Sequence, residues 1–411
     1  MGKWVETTIG AYCDPPQYGL NASAIKYDGE HGYIRITDID DTSHRFIKSG
    51  ITSPDEFSDE YLVKKGDVLL ARTGASVGKS YVYDDRDGQL YFAGFLIRFR
   101  PKKDNDPGFL FYQTLTDRYA KWVANVSVRT GQPGINSLEY ATYKFLAPVS
   151  LDEQRHIAEI LMTCDEVIEK SEAVAEKYRA IKAGMLKDLF TRGIGKNGKL
   201  RPTPESAPQL YKDTALGKVP REWEEKTIAE IGDVVTGSTP SRSDSANWGG
   251  DFNWISAQDF KDKYIYNAAE KVSDKGKRAC RLLPLNSVLV TCIASIGLNA
   301  IAKVECATNQ QIHAVICEGC DYEYFYYLIC FSDGKLKQLA GQTAVPIIGK
   351  TDFQQLLMAY PSDFAEQRQI AERLSAIDAK IADELAVIAK YRKVKAGLMA
   401  RLLTPPDMEV E

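Results

Sequence analysis

With 411 residues, 44% of them hydrophobic and 26% charged, the chain has an ordinary globular composition and the length of two or three domains. No stretch approaches a membrane span, the opening Met1-Gly2-Lys3-Trp4-Val5-Glu6 lacks the apolar core of a signal peptide, and the eight cysteines lack disulfide-framework spacing, so a cytoplasmic, non-membrane protein with reduced thiols is expected. A net charge of −4 argues against a free-standing nucleic-acid binder, because phosphate neutralisation needs a basic surplus.

Residues 1–149 read as a mixed α/β domain. Tyr33-Ile34-Arg35-Ile36, Val68-Leu69-Leu70 and Phe95-Leu96-Ile97-Arg98-Phe99 are short apolar or alternating runs between turn-forming clusters, as strands are, and a helix is expected around Phe109 to Val126. Asp14-Pro15-Pro16-Gln17-Tyr18 is similar to the Asp-Pro-Pro-Tyr motif of amino-methyltransferases, but Gln17 displaces the aromatic that must stack on a flipped base. Ala71-Arg72-Thr73-Gly74-Ala75-Ser76-Val77-Gly78-Lys79-Ser80 approaches a phosphate-binding loop. Thr73 stands where that motif needs glycine, however, and Tyr81-Val82-Tyr83 reads as a strand where it needs a helix. The segment is therefore a turn presenting Arg72, Thr73 and Ser76. Asp38, Asp40 and Asp41 read as turn residues, and His31, His44 and His156 have no recognisable nucleophile beside them. The basic run Arg98, Arg100, Lys102, Lys103 reads as a solvated face.

A long helix is expected over 150–192, opened by the capping box Ser150-x-x-Glu153 and stopped at Gly193. Ile157, Leu161, Cys164, Ile168, Ser171, Ala175, Tyr178, Lys182, Met185 and Leu189 recur at alternating steps of four and three, the seam of a coiled coil over about five heptads. Residues 193–210 form a polar Gly/Pro linker, expected to be a flexible crossing. Residues 211–362 form a second α/β domain, with strands at Ser287-Val288-Leu289-Val290 and Ala314-Val315-Ile316 and a helix around Tyr322 to Leu339. Its basic cluster is Lys271, Lys275, Lys277, Arg278 and Arg281. Cys317-x-x-Cys320 has no second pair at zinc spacing; His313, Cys306 and Cys330 could add ligands but read as core residues, so no metal site is assigned.

The second long helix, expected over 363–404 before a tail of 405–411, repeats the first. Glu153-Gln154-Arg155-His156-Ile157-Ala158-Glu159 returns as Glu366-Gln367-Arg368-Gln369-Ile370-Ala371-Glu372, an offset of 213 (366 − 153) that holds without a gap to Thr191 and Thr404. Its seam is Ile370, Leu374, Ile381, Tyr391, Leu398 and Leu402, and Asp363-x-x-Glu366 is an Asp-type capping box. Gly184 and Gly397 fall at matching places inside the helices, which suggests either close backbone approach or a slack surface position. The domains ahead of the helices repeat more weakly: Trp4-x-x-x-Thr8-Ile9 matches Trp223-x-x-x-Thr227-Ile228, and Ala75-Ser76-Val77-Gly78 matches Ala294-Ser295-Ile296-Gly297. The expected architecture is α/β (α+β): two domains of mixed strands and helices, each followed by a long helix, the helices pairing as an antiparallel coiled coil.

Two variable domains, each followed by a near-identical helix beginning Glu-Gln-Arg-x-Ile-Ala-Glu, resemble the specificity (S) subunit of type I restriction-modification systems. The likeness extends to the junction Leu189-Phe190-Thr191-Arg192-Gly193-Ile194-Gly195, to Gly198-Lys199-Leu200-Arg201, and to Leu216-Gly217-Lys218-Val219-Pro220-Arg221-Glu222-Trp223. Gly237-Ser238-Thr239-Pro240-Ser241-Arg242 with Asn247-Trp248-Gly249-Gly250 and Trp254-Ile255-Ser256 is similar to a common class of target-recognition domain.

The resemblance implies a non-catalytic subunit that reads a bipartite, asymmetric site in double-stranded DNA, one half-site per domain. It would scaffold two methyltransferase (M) subunits carrying S-adenosylmethionine, with restriction (R) subunits using ATP and Mg, and bind no cofactor itself. The alternatives are a specificity subunit serving a fused nuclease-methylase, an unrecognised DNA methyltransferase, and a coiled-coil scaffold without a nucleic-acid role. Candidate DNA contacts in the first domain are Tyr18, Thr37, Arg72, Thr73, Ser76, Lys79, Arg129 and Gln132, and in the second Thr239, Ser241, Arg242, Ser256, Gln258, Lys261 and Gln342. Arg242 leads them, since arginine can bind guanine through two hydrogen bonds.

Overall fold

The computed structural model describes residues 3–128, 133–341 and 345–405. Two compact units emerge: residues 1–174 with 384–411, and residues 175–383. Each long helix, Leu151–Thr191 and Phe364–Leu402, therefore contributes to both units, so each unit holds one α/β body and a portion of either helix.

In the first unit, strands Gln17–Tyr18, Leu96–Phe99, Val68–Ala71 and Ser80–Val82 form an antiparallel sheet in that order. A second sheet runs Ala24–Lys26, Thr52–Pro54, Gly32–Ile34, Leu90–Phe92, its last pair parallel. The second unit repeats this plan. Gly232–Thr236, Ile312–Cys317, Val288–Thr291, Asn299–Ala302 and Tyr264–Ile265 form one sheet; Glu270–Val272, Trp248–Ile255, Cys306–Thr308 and Leu282–Leu283 form the other. In both units a two-stranded ribbon leads into the long helix: Trp4–Thr8 with Lys144–Pro148, and Trp223–Thr227 with Leu357–Pro361.

Buried glutamines explain why the helix-opening motif occurs twice. Gln154 donates from Nε2 to the Pro148 carbonyl (2.8 Å), and its Oε1 accepts from the Asp106 N–H (2.8 Å). Gln367 does the same with Pro361 (2.8 Å) and the Asp321 N–H (2.9 Å). Asp106 and Asp321 are themselves N-caps of the helices Pro107–Gln113 and Tyr322–Phe331. One amide thus ties ribbon, α/β body and long helix together, and the following Ile157-Ala158 and Ile370-Ala371 are buried beneath it.

Within each unit the two helices run antiparallel, as their ion pairs show: Lys395 with Asp165 and Arg392 with Glu172 in the first, Lys182 with Asp378 in the second. The expected seam residues divide by position. Ile157 and Leu161 belong to the core of the first body, where Leu398 and Leu402 pack; Leu189, Ile370 and Leu374 belong to that of the second, where Met185 packs. Ile168, Tyr178, Ile381 and Tyr391 stay half-buried, Tyr178 with the Lys380 ammonium 5.4 Å from its ring centre. The helix ends thus serve the α/β bodies as much as each other.

Several local expectations are corrected. Each of the two middle helices is broken: Asp117–Val126 restarts where Thr116 Oγ1 accepts from the Tyr119 N–H, and Asp333–Leu339 restarts at Ser332. After Ile34 the chain leaves its strand for a short 3-10 turn, Ile36–Asp38, because Asp38 binds back to the N–H and guanidinium of Arg35. Ser150 accepts from the Glu153 N–H (3.4 Å), but Glu366 is no capping-box residue. Its carboxylate is buried and receives Arg201 Nη1 (2.5 Å) and Nη2 (3.0 Å), the Ile194 N–H (2.7 Å) and Trp223 Nε1 (3.2 Å). The same bonds correct the flexible linker, since Arg201 is only 7% exposed and holds that segment to the second long helix. Finally, Gly184 and Gly397 face open space, with nothing within 4 Å of an added Cβ.

Candidate nucleic-acid interface

The candidate face in each unit grows from a crossing between sheets that only glycine permits. A Cβ on Gly19 would collide with the Ala93 carbonyl, and one on Gly237 with the Asn309 carbonyl. Flanking bonds match: Gly19 N–H to Leu96 O and Leu20 N–H to Phe92 O in one unit (3.1 and 2.8 Å), Gly237 N–H to Ile312 O and Ser238 N–H to Thr308 O in the other (3.1 and 2.7 Å). Tyr18 and Thr236 are therefore equivalent, and the loop tips at Phe95 and at Gln310-Gln311 lie beside them.

The glycine-containing turns match too, with a shift. Gly74 and Ala294 both take left-handed backbone (φ 73° and 62°) and donate to the carbonyls of Pro133 and Pro346. Ile135 donates to Arg72 O, and Ile348 to Cys292 O (2.9 Å each). Gly78 and Gly297 then close both turns on Ala71 and Thr291 (3.0 Å each). The second turn is one residue shorter, so Arg72 and Thr73 correspond to Cys292 and Ile293. The motif match holds at its final glycine but not at Ala75-Ser76.

In the first unit the structure brings Tyr18, Arg72 and Thr73 together. Tyr18 is exposed, its hydroxyl accepts from the Ser137 N–H (3.1 Å), and the Arg72 guanidinium lies 5.0 Å from its ring centre, a cation–π contact that orients the arginine. Thr73 bridges to Gly134, Ser76 sits half-buried in the same turn, and Phe95, 58% exposed, stands beside Arg72. Thr37 is exposed on the separate turn that follows the Gly32–Ile34 strand of the second sheet. Lys79 does not join them. Its ammonium points inward to the Ile36 and Ile39 carbonyls (3.3 and 2.9 Å) and to Asp41 (2.5 Å), where it holds the Thr37 turn in place. Arg129 and Gln132 lie outside the described residues.

In the second unit, exposed Thr239 donates to Gln310 Oε1 (2.5 Å), leaving the Gln310 amide nitrogen exposed. Ser241 meets Ser243 (2.8 Å), and its carbonyl accepts from Trp248 Nε1 (3.2 Å). Arg242 is stacked: its guanidinium lies 3.9 Å from the Trp248 ring centre and 5.0 Å from that of Trp254, and pairs with Glu270 at 2.6 Å while its side chain stays 56% exposed. A planar cation held on a tryptophan face keeps its remaining N–H groups directed outward. Ser256 caps the turn Ala257–Asp259 by binding Asp259, with Gln258 exposed on that turn and Lys261 just after it; this turn is the counterpart of the one bearing Thr37. Gln342 lies outside the described residues.

Part of each basic run is spent on partners within its own unit. Arg100 binds the fully buried Asp67 through two nitrogens (2.7 and 3.0 Å), with Arg98 at 3.6 Å, and Arg281 donates to the Thr236 carbonyl (2.7 Å). His313 is equally committed. Burial holds its imidazole below the ordinary pKa, its Nε2 donates to the Ile348 carbonyl (3.0 Å), and its Nδ1 accepts from Thr236 (3.0 Å). Among the described residues no group of three His, Cys, Asp or Glu could hold a metal, and no helix is long and apolar enough to cross a membrane. Sequence reasoning missed Phe95 and Gln310, since only the glycine crossings reveal them as loop tips.

Comparison with known proteins accounts for the duplicated plan. The type I restriction enzyme MjaIX specificity subunit of Methanocaldococcus jannaschii is 36% identical over 176 residues, 41% of this chain and 40% of that protein. The putative MjaX specificity subunit of the same organism is 25% identical over 94% of this chain and 89% of its own. Among solved structures, a type I restriction-modification S subunit from M. genitalium superposes with a TM-score of 0.65 at 15% identity, covering 99% of this chain and 97% of that one, a likeness of fold. The model of the type I restriction modification DNA specificity domain matches residues 18–177 and again 220–389, and the chain belongs to that family.

Proposed function

We propose that this chain is the DNA-reading subunit of a type I restriction-modification complex, with each unit reading one half of a bipartite, asymmetric site in double-stranded DNA. One observation carries the reading: the two units share a frame down to single backbone bonds, yet equivalent positions on it carry different side chains, exposed Tyr18 and Phe95 with half-buried Arg72 against half-buried Thr236 and Gln311 with buried Cys292. A shared frame with different tips suits two unlike half-sites. Two methyltransferase subunits supply S-adenosylmethionine chemistry and restriction subunits supply ATP- and Mg-dependent cleavage, while this chain binds no cofactor. Enclosure of DNA by those partners makes a net charge of −4 tolerable.

The test is to map modified bases in the genome of cells carrying this chain with its partner subunits. One motif with two different half-sites and a fixed gap is expected; a continuous or palindromic motif contradicts the proposal. The isolated chain is expected neither to methylate, cleave nor hydrolyse ATP, and turnover by the pure subunit overturns the assignment of catalysis to partners.

A further inference from the structure

In each unit a tyrosine of the recognition body meets an aspartate from one long helix and a lysine from the other. In the first unit the Tyr112 hydroxyl donates to Asp165 Oδ2 (2.8 Å), while Lys395 Nζ lies 2.6 Å from Asp165 Oδ1 and 5.2 Å from the Tyr112 ring centre. In the second, Tyr327 donates to Asp378 Oδ2 (2.6 Å), and Lys182 Nζ lies 2.6 Å from Asp378 Oδ1 and 5.5 Å from the Tyr327 ring centre. Asp165 and Asp378 are equivalent positions of the helical repeat, as are Lys182 and Lys395. Each helix thus supplies the aspartate of one triad and the lysine of the other.

The ion pairs are partly buried: side-chain exposures are 17% and 22% for Lys395 and Asp165, and 23% and 27% for Lys182 and Asp378. Such pairs contribute little net stability once desolvation is counted, but they penalise every arrangement that separates them. An apolar heptad seam lacks that discrimination, because a slip of seven residues, about 10 Å, exchanges one aliphatic contact for another. Here the carboxylate that fixes helix against helix also receives the tyrosine of the recognition body. Register and seat are therefore set at the same atom pair.

We propose that the two Tyr–Asp–Lys triads are positioning residues that hold each recognition body to a single register of the helix pair, and so set the number of base pairs between the half-sites. This rests on the bipartite reading above.

The experiment uses the full chain with its partner subunits in cells and maps modified bases. For Asp165→Asn and Asp378→Asn, the half-site bases stay as in the wild type, while modification at gaps about three base pairs longer or shorter, the length of one heptad along DNA, rises about tenfold, the scale of one charge-assisted hydrogen bond. The charge-swapped Lys182→Asp with Asp378→Lys should narrow the gap distribution again. Arg392→Ala, which removes an exposed ion pair to Glu172, should leave it unchanged. If either aspartate variant fails to accumulate, Tyr112→Phe and Tyr327→Phe, which keep the ion pairs, are read the same way. Variants that modify only the wild-type gap, however weakly, overturn the proposal and reduce the triads to ordinary stabilising contacts. A wild type without any two-part motif instead overturns the functional reading.

Discussion

Where the first unit has Tyr18, Arg72 and Phe95 around its glycine crossing, the second has Thr236, Cys292 and Gln311, although the backbone bonds beneath are the same. The second unit also carries a tryptophan pair, Trp248 and Trp254 with ring centres 5.1 Å apart, on which Arg242 rests. Bonds that define the frame involve backbone and buried amides, whereas the differences fall on side chains at and beside the loop tips. A frame and a readout can thus vary separately. The helix junctions differ as well: Trp223 Nε1 donates to Glu366, while the buried Nε1 of Trp4 has no hydrogen-bond partner among the described residues.

The largest predicted effect tests that junction. Glu366→Ala leaves the Arg201 guanidinium buried without its main counter-charge, which should destabilise the protein by about 3–5 kcal/mol. Chemical denaturation followed by tryptophan fluorescence measures it. A loss below about 1 kcal/mol, the worth of an exposed pair, would mean that Glu222 and water suffice for Arg201.

Equivalence of the two frames gives a sharper expectation. Gln154→Ala and Gln367→Ala each strand a buried carbonyl, and Gln367→Ala also the Asp321 N–H, whereas the Asp106 N–H keeps the Tyr12 hydroxyl (3.1 Å), so each should cost roughly 1–3 kcal/mol, and by similar amounts. Unequal losses in denaturant titrations would show that the shared motif is anchored differently in the two units.

What was legible in the sequence follows the same division. The long helices and their duplicated opening were readable because each helix is written in one continuous stretch with its apolar period. Val68–Ala71 and Val288–Thr291 were readable as strands for the same reason. Linker and site were less so, because their determinants are remote in sequence: Arg201 meets a carboxylate 165 residues away, and Lys79 turns inward to carbonyls 43 and 40 residues back. Thr116 and Ser332 interrupt their helices through hydroxyl and backbone bonding that apolar periodicity does not register.

Readout should separate by unit. Arg242→Ala is expected to cost about 1–3 kcal/mol on the cognate site and to relax discrimination in one half-site only, with Arg72→Ala acting on the other half-site. Binding by the reconstituted complex to cognate and scrambled DNA decides it. Equal weakening on both would make the arginine a phosphate contact, and no weakening would remove its loop from the interface.

The smallest effect concerns a position that the two units share. Gly184 and Gly397 lie inside helices with exposed, empty surroundings, so neither a close approach nor a positive φ requires glycine there. Alanine restricts the unfolded chain and favours the helix, so Gly184→Ala and Gly397→Ala should each stabilise the isolated chain by about 1 kcal/mol, read as a higher denaturation midpoint. No gain would mean that the open face is occupied or strained in solution. A gain in the isolated chain joined to weaker assembly with the methyltransferase subunits would give these glycines a purpose, since a partner's backbone would then need the space that a methyl group fills.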